Sequence, residues 1–271
     1  MSMPVHQAQS PNGRDELAWT ATGRGTPLLL IAGLGLGGSS WWRSVAGFAE
    51  RFRVITFDYR GLGRSGTAPL YCTTDDLADD AAAVLDAAEV ESGLVYGFSL
   101  GGMAAQRLAL SHPGRVSALV LGATTAGGDG AVRPGPATVA NLWRGSFLSP
   151  GDAAEAAIPH AYGERCRRET PERIAADLDH RRQQRLDSDA YHGQIAAAMR
   201  HDAEGELPDI AVPTLVVHGA HDRLIPTANG ELIARKIPGA QLHVVPHAGH
   251  YYSTDDPAVD GVVSSFLAGC E

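Results

Sequence analysis

Hydrophobic residues are arranged along this chain in short continuous runs, and segments with helical spacing follow most of these runs. The run PLLLIAG at 27–33 stops at a glycine, as is typical of a strand buried on both faces. The pattern predicts strands at 16–22, 27–33, 53–58, 93–98, 116–122, 213–219 and 241–245. It predicts helices at 39–49, 74–88, 100–111, 227–236 and 258–268. This alternation predicts an α/β fold with a mostly parallel central sheet and helices on both faces.

The alternation stops in the middle of the chain. From about 124 to 208 no strong strand pattern occurs, and the segment is helical in character and rich in Ala, Arg and Asp. We therefore predict a core formed by 1–123 and 209–271, interrupted by a helical lid insertion at 124–208. Ligands of open parallel sheets bind at the carboxyl ends of the strands, so the functional site is expected there.

One short motif points to covalent chemistry. The sequence GFSLG at 97–101 fits the pattern G-x-S-x-G, with an apolar strand before it and a helical segment after it. A strand–turn–helix of this kind holds a serine hydroxyl at the tip of a sharp turn, where the glycines leave room for the backbone. Ser99 is therefore the candidate nucleophile.

A serine hydroxyl is a weak nucleophile at neutral pH, so it needs a base within hydrogen-bonding reach and a third group that orients the base. In chains with this turn, the acid and then the histidine follow the serine. Asp222 comes just after a predicted strand, and His250 follows the last strand and a glycine. We predict that Asp222 orients His250 and that His250 activates Ser99. The rivals for the two roles are Asp129 and His247.

Acyl transfer also needs hydrogen-bond donors for the negative charge that develops on the carbonyl oxygen. One donor is the backbone N–H that follows the nucleophile, here that of Leu100. The other comes from the loop after the first central strand. We assign it to the backbone N–H of Leu34 in the loop AGLG at 32–35.

The same loop supports a competing interpretation. GLGLGG at 33–38 also fits G-x-G-x-x-G, and Asp58 lies about 20 residues further on, as in a dinucleotide site. However, a strand-like segment precedes this unit, and Asp58 opens the glycine-rich turn DYRGLGRS at 58–65. A nicotinamide site would also leave Ser99, Asp222 and His250 without a role. We therefore expect no cofactor and no metal.

Four segments together resemble the α/β-hydrolase family over nearly the whole chain. They are the strand and glycine loop at 28–38, the DYRGLGRS turn, the serine turn, and the strand ends that carry Asp222 and His250. The resemblance is closest to the subgroup of 3-oxoadipate enol-lactonases, and cofactor-free haloperoxidases or perhydrolases and carboxylesterases are also similar. One departure is Ala32, where the family usually has a histidine, so the hydrogen bonding of this loop is expected to differ.

The resemblance implies a serine hydrolase that cleaves a carboxylic ester or lactone of a small organic substrate through an acyl-enzyme. Dehalogenases and epoxide hydrolases of this fold use an aspartate nucleophile, and this chain has Ser99 in that place. Hydrolytic C–C cleavage, acyl transfer or perhydrolysis with the same triad, and a non-catalytic ligand-binding role remain open alternatives. Specificity is expected to lie in the insertion. Its candidate pocket residues are Trp143, Phe147, Tyr162, Tyr191 and, for a substrate carboxylate, Arg144.

The net charge and the cysteine content mainly exclude classes of partner and site. The chain has 271 residues, a formal net charge of −9 and three cysteines without close spacing. An acidic chain is a poor match for nucleic acid or an anionic membrane, and such cysteines argue against a disulfide framework or a zinc site. The chain shows no secretory leader pattern and no apolar run of roughly 18 residues, so a cytoplasmic enzyme with a small-molecule substrate is expected. A homo-oligomer stays open.

Overall fold

The central feature of the fold is one eight-stranded sheet. The computed structural model describes residues 4–11, 13, 15–67, 72–145 and 147–271. The strands are β1 His6–Gln9, β2 Glu16–Thr22, β3 Pro27–Ile31, β4 Arg53–Phe57, β5 Gly93–Phe98, β6 Val116–Gly122, β7 Thr214–Gly219 and β8 Gln241–Val245. Their order across the sheet is β1-β2-β4-β3-β5-β6-β7-β8. The β1–β2 and β2–β4 pairs are antiparallel and the others are parallel, which confirms the predicted α/β fold with a mostly parallel sheet.

Helices pack around this sheet. They are α1 Val45–Ala49, α2 Thr74–Ala87, α3 Leu100–Ser111, α4 Pro136–Gly145, α5 Pro150–Ala161, α6 Glu164–Glu169, α7 Pro171–Arg182, α8 Ser188–Arg200, α9 Ala228–Lys236, α10 Tyr252–Asp255 and α11 Val259–Ala268. Helices α4 to α8 lie between β6 and β7 in the chain, and we call this segment the insertion. Within the described ranges, no helix has the length and apolar character that a membrane span requires.

Alternate residues of the central strands pack on opposite faces of the sheet. In β3, Leu28 and Leu30 belong to one buried cluster and Leu29 and Ile31 to the other. Side chains of α2, α3 and α9 cover the face of Leu29, and side chains of α1 and α11 cover the face of Leu28. Because both faces are buried, the strand is a continuous apolar run in the sequence.

Two segments differ from the prediction. His6–Gln9 forms an edge strand that the hydrophobic pattern does not reveal, because three of its four residues are exposed and polar. The hydrophobic pattern predicts one helix over 39–49. The structure has instead a short 3-10 turn, Gly38–Trp41, followed by α1. The N–H of Gly38 donates to Asp58 Oδ1 at 2.8 Å, which holds the start of the turn against the end of β4.

Candidate active site

Ser99 stands at the tip of a sharp turn between β5 and α3. Its φ of 56° and ψ of −117° are rare for an L residue and cost on the order of 1–3 kcal/mol. A Cβ on Gly97 would collide with the Gly101 carbonyl, and a Cβ on Gly101 would collide with the Ile31 carbonyl. The N–H of Ser99 donates to the Gly122 carbonyl at 2.8 Å, which ties the tip to the end of β6. The turn therefore requires both glycines of the motif.

His250 and Asp222 lie beside this serine, on the loops that follow β8 and β7. Nε2 of His250 is 3.0 Å from Oγ of Ser99, and Nδ1 of His250 is 2.7 Å from Oδ2 of Asp222. His250 is 3% exposed and Asp222 is 6% exposed, so the contact between them is shielded from water. The structure thus brings the three predicted residues into one hydrogen-bonded line.

Both oxygens of the Asp222 carboxylate are engaged. Oδ1 accepts the backbone N–H groups of Leu224 and Ile225, each at 2.9 Å. Oδ2 faces His250 and also lies 3.3 Å from Nε2 of His218, a fully buried side chain. Burial alone would raise the pKa of Asp222, but His250 and His218 outweigh burial and lower this pKa to about 2. The carboxylate is therefore an anion at neutral pH.

The glycine loop at 33–38 lies directly against the serine. A Cβ built on Gly33 would come within 3.2 Å of Cβ of Ser99. Among the described residues, the backbone N–H of Leu34 has no acceptor, and the same holds for Leu100, the first residue of α3. The two N–H groups predicted as oxyanion donors are thus free of internal hydrogen bonds and belong to the segments that border Ser99.

The insertion holds the glycine loop in place. The N–H of Gly35 donates to Oε1 of Gln194 in α8 at 2.8 Å. The N–H of Gly37 donates to Oε1 of Gln184, which follows α7, at 3.2 Å. The loop that follows Ala32 thus receives two side-chain acceptors from the insertion.

A model of the α/β-hydrolase fold family matches residues 26–257 of the chain. The chain belongs to the α/β-hydrolase family. The matched range contains the glycine loop, Ser99, Asp222 and His250, and it confirms the family that the sequence resemblance implied.

Similar α/β-hydrolases match almost the whole chain. A provisionally named carbamate hydrolase, RutD, from Azorhizobium caulinodans is 32% identical over 255 residues, which are 91% of this chain and 92% of that protein. An esterase from Thermogutta terrifontis is 29% identical with a TM-score of 0.85, covering 98% of this chain and 99% of its own. The enol-lactonase from Burkholderia xenovorans LB400 is 26% identical with a TM-score of 0.83, and the match covers 97% of this chain and 100% of that chain. The chain is therefore an enzyme of the hydrolase class.

A cavity of about 60 Å³ adjoins the site of this α/β-hydrolase, between the core and α7. Ala32, Phe98 and Tyr251 form part of its apolar wall. The rings of Phe98 and Tyr251 lie 5.1 and 5.4 Å from the His250 ring. Arg181 also lines the cavity, with its guanidinium 4.1 Å from the centre of the Tyr251 ring. The cavity therefore combines an apolar wall beside His250 with a cation that rests on the Tyr251 ring.

Three of the residues predicted to form a substrate pocket are on the surface of the insertion. Trp143 and Phe147 are 71% and 75% exposed, and their rings meet edge to face at 5.5 Å. Arg144, between them in the chain, is exposed too. The structure corrects the prediction for these three, because all three side chains are exposed and none of them lines the cavity.

The other two predicted pocket residues are buried in packing. Tyr162 is 3% exposed in a small core inside the insertion, and its hydroxyl donates to Asp177 Oδ2 at 3.2 Å. Tyr191 is half-buried, and a Cβ on Gly35 would come within 3.2 Å of its ring. Neither residue lines the cavity, although Tyr191 borders the glycine loop beside Ser99.

The rival residues lie apart from the hydrogen-bonded line. His247 is exposed, and its ring stacks beside that of His221 with centroids 6.1 Å apart. Asp129 is exposed on the loop that follows β6. The geometry thus favours His250 and Asp222 over these two.

Asp58 does not serve a dinucleotide. Its Oδ1 accepts the N–H of Gly38, and its Oδ2 accepts both the backbone N–H and Nε of Arg64 at 3.1 Å. At 2% exposure, this carboxylate has no free oxygen to offer a ribose. In the part of the chain that the structure describes, no group of three or more His, Cys, Asp or Glu side chains could hold a metal ion.

Four residues around the site were not among those predicted from the sequence. Gln184, Gln194 and Arg181 lie in the insertion without any motif around them. His218 carried a signal, because it is a polar residue inside the buried strand TLVVHG, and a buried polar side chain needs a partner. Its partners are Asp222 and the Ile225 carbonyl, which lies 2.8 Å from its Nε2.

Proposed function

We propose that the protein is a serine hydrolase that cleaves a carboxylic ester or lactone of a small organic substrate through an acyl-enzyme intermediate. The observation that carries this proposal is the contact of 3.0 Å between Ser99 Oγ and His250 Nε2, in line with the contact of 2.7 Å between His250 Nδ1 and Asp222. A hydroxyl, an imidazole and a buried carboxylate in this order are what nucleophilic activation of serine requires.

In the proposed mechanism, Ser99 Oγ attacks the carbonyl carbon while its proton passes to Nε2 of His250. Asp222 holds the imidazole in the tautomer with a proton on Nδ1 and stabilises the imidazolium that forms. The oxyanion accepts the N–H groups of Leu34 and Leu100. The imidazolium then protonates the leaving oxygen as the acyl–oxygen bond breaks. Water then attacks the acyl carbon while His250 Nε2 takes its proton. The imidazolium returns that proton to Ser99 Oγ as the acyl–Oγ bond breaks, and the acid is released.

The proposed substrate class rests on the size of the cavity beside Phe98 and on the names of the structural neighbours. The cavity beside Phe98 is small, and its apolar residues Phe98 and Tyr251 pack next to the His250 ring, which suits a short acyl group. The printed names of an esterase and an enol-lactonase among the structural neighbours support an ester or a lactone. A carbamate is included in the test, because the RutD relatives carry that name.

The first experiment is labelling with a fluorophosphonate probe, read by intact mass and peptide mapping. We expect one adduct on Ser99 that is absent in Ser99→Ala and strongly slowed in His250→Ala. Ser253→Ala is the matched control, because Ser253 lines the cavity beside the site but is not part of the hydrogen-bonded line of Ser99, His250 and Asp222. Folded protein that gives no adduct, or an adduct that persists in Ser99→Ala, would overturn the proposal.

The second experiment is a rate comparison with p-nitrophenyl esters of increasing acyl length, γ- and δ-lactones, and carbamate. An acyl-enzyme predicts a burst of p-nitrophenol in the first turnover. We expect turnover of short esters or lactones, with loss of at least about 10³-fold in kcat for Ser99→Ala. Turnover of carbamate alone would move the proposed substrate class to carbamates and leave the assigned residue roles in place.

A further inference from the structure

A second cavity, of about 290 Å³, lies on the other side of the insertion's small core. Parts of α5 and α6 and the loops that follow β7 and β8 surround it. None of the described residues lines both this cavity and the cavity beside Phe98. Its lining contains one carboxylate, that of Glu164, and is otherwise rich in cations and imidazoles: Arg165, Arg167, Arg168, Arg223, His221 and His247.

The positive charge in this second cavity is only partly balanced. Arg165 and Arg168 each pair with Glu169 at 3.0 Å, at exposed positions. Nε of Arg167 is buried and has no hydrogen-bond partner in the described ranges. Among the residues that the structure describes, Arg223 forms no ion pair with a carboxylate within 4.0 Å. Within the described residues, the guanidiniums of Arg167 and Arg223 thus have no carboxylate partner within 4.0 Å.

A nearby histidine responds to this charge. Burial lowers the pKa of His160 below its ordinary value, and the positive charges of Arg223 and Arg167 lower it further. Arg223 in the loop after β7 and Arg167 in α6 therefore both place positive charge near His160. This agrees with the geometry of the cavity, in which both residues take part.

We propose that this second cavity binds a small oxyanion, the phosphate or carboxylate group of a small molecule. Guanidinium groups present planar pairs of N–H donors that match the oxygens of both anions. The imidazoles of His221 and His247 can each add one N–H donor in their neutral forms. At about 290 Å³, the cavity has room for an organic group beyond the anion itself.

The proposed site also touches the two loops that carry the candidate catalytic groups. Arg223 directly follows Asp222, and His247 precedes His250 by three residues. An anion held between Arg223 and His247 would therefore tie these loops together and stabilise the folded protein in proportion to its concentration. The binding itself does not depend on the proposed hydrolase activity.

The test is isothermal titration with inorganic phosphate, glycerol 3-phosphate and succinate at constant ionic strength. We expect saturable binding of at least one anion at a single site, weakened roughly tenfold in Arg223→Gln and in Arg167→Gln. Two matched controls should bind as the wild type does: Arg24→Gln, an exposed arginine before β3, and Arg181→Gln in the cavity beside Phe98. Binding of both phosphates but not succinate would assign a phosphate group, and the reverse would assign a carboxylate.

Ser99→Ala separates this proposal from the proposed function. We expect it to lose hydrolysis and to keep anion binding unchanged. The proposal is overturned if none of the three anions binds, or if all four arginine variants weaken binding equally, as a general charge effect would. If Arg167→Gln does not fold, the exposed Arg223→Gln decides the result.

Discussion

Arg43 Nε and Asp177 Oδ1 form an ion pair of 2.9 Å that joins the core to α7 at the wall of the cavity beside Phe98. The other oxygen of Asp177 accepts the hydroxyls of Tyr162 at 3.2 Å and Thr254 at 2.6 Å. Asp177 is 8% exposed, so these contacts are largely shielded from water. One carboxylate therefore connects the segment after β3, the insertion and α10.

Asp177→Asn should destabilise the protein by about 2 kcal/mol, because it leaves the partly buried guanidinium of Arg43 without its counter-charge. Urea unfolding followed by circular dichroism measures the change. Asp179→Asn in the same helix is the control, since its ion pair with Arg182 is exposed, and it should cost less than about 0.5 kcal/mol. Equal costs for the two variants would contradict the connecting role of Asp177.

The backbone of Ser99 predicts a separation of stability from activity. At φ 56° a residue with a Cβ is under backbone strain, whereas glycine is not. Ser99→Gly should therefore be about 1 kcal/mol more stable than Ser99→Ala. Both variants should be inactive. Thermal unfolding of the two proteins side by side gives the difference. An alanine variant as stable as the glycine variant would mean that the turn relaxes without strain.

The contact between Gln194 and Gly35 predicts an effect on rate without an effect on substrate binding. Gln194→Leu removes the acceptor of the Gly35 N–H, so the loop that offers the Leu34 N–H loses one anchor. We expect kcat to fall on the order of tenfold with KM nearly unchanged, because the donor matters most in the transition state. Gln183→Leu, an exposed glutamine near α7, should leave both constants unchanged. A rise in KM alone would instead assign Gln194 to substrate binding.

The low pKa of Asp222 predicts how stability depends on pH. His250 and His218 lower it to about 2 in the folded protein, whereas an unfolded aspartate has a pKa of about 3.9. Protonation therefore favours the unfolded chain. The stabilisation is complete above the unfolded pKa and is lost as the pH falls towards 2.

Unfolding free energies of the wild type and Asp222→Asn at about pH 6 and about pH 3 test this dependence. The difference between the two proteins should shrink at the lower pH. Asp129→Asn, in the exposed loop after β6, is the control and should differ little from the wild type at either pH. A constant difference for Asp222→Asn would show that its carboxylate is not held in the charged form.

The strands and the serine turn could be predicted because their signals are local. Leu28 to Ile31 are buried on both faces of the sheet, so the chain is apolar without interruption there. The close approach of Gly97 and Gly101 allows no side chain, so the motif shows in the sequence. The edge strand His6–Gln9 has no such signal, because its hydrogen bonds to β2 are made by the backbone of exposed polar residues.

The surroundings of the site could not be predicted in the same way. Gln194 and Gly35 are 159 positions apart, and nothing in either neighbourhood indicates the other. Trp143 and Phe147 are apolar residues of the insertion, and hydrophobicity alone did not indicate that both side chains are exposed. The pairing of distant side chains depends on how the insertion docks, which a linear pattern does not encode.

The two glutamines that hold the glycine loop limit how this scaffold can be redesigned. Replacing the whole segment 124–208 with the cap of another hydrolase would exchange the substrate pocket and, in the same step, remove the acceptors for the Gly35 and Gly37 N–H groups. A chimera built that way alters recognition and turnover together. Grafts that keep Gln184 and Gln194 as fixed junctions, and vary only the helices before them, allow selectivity to be changed separately from catalytic power.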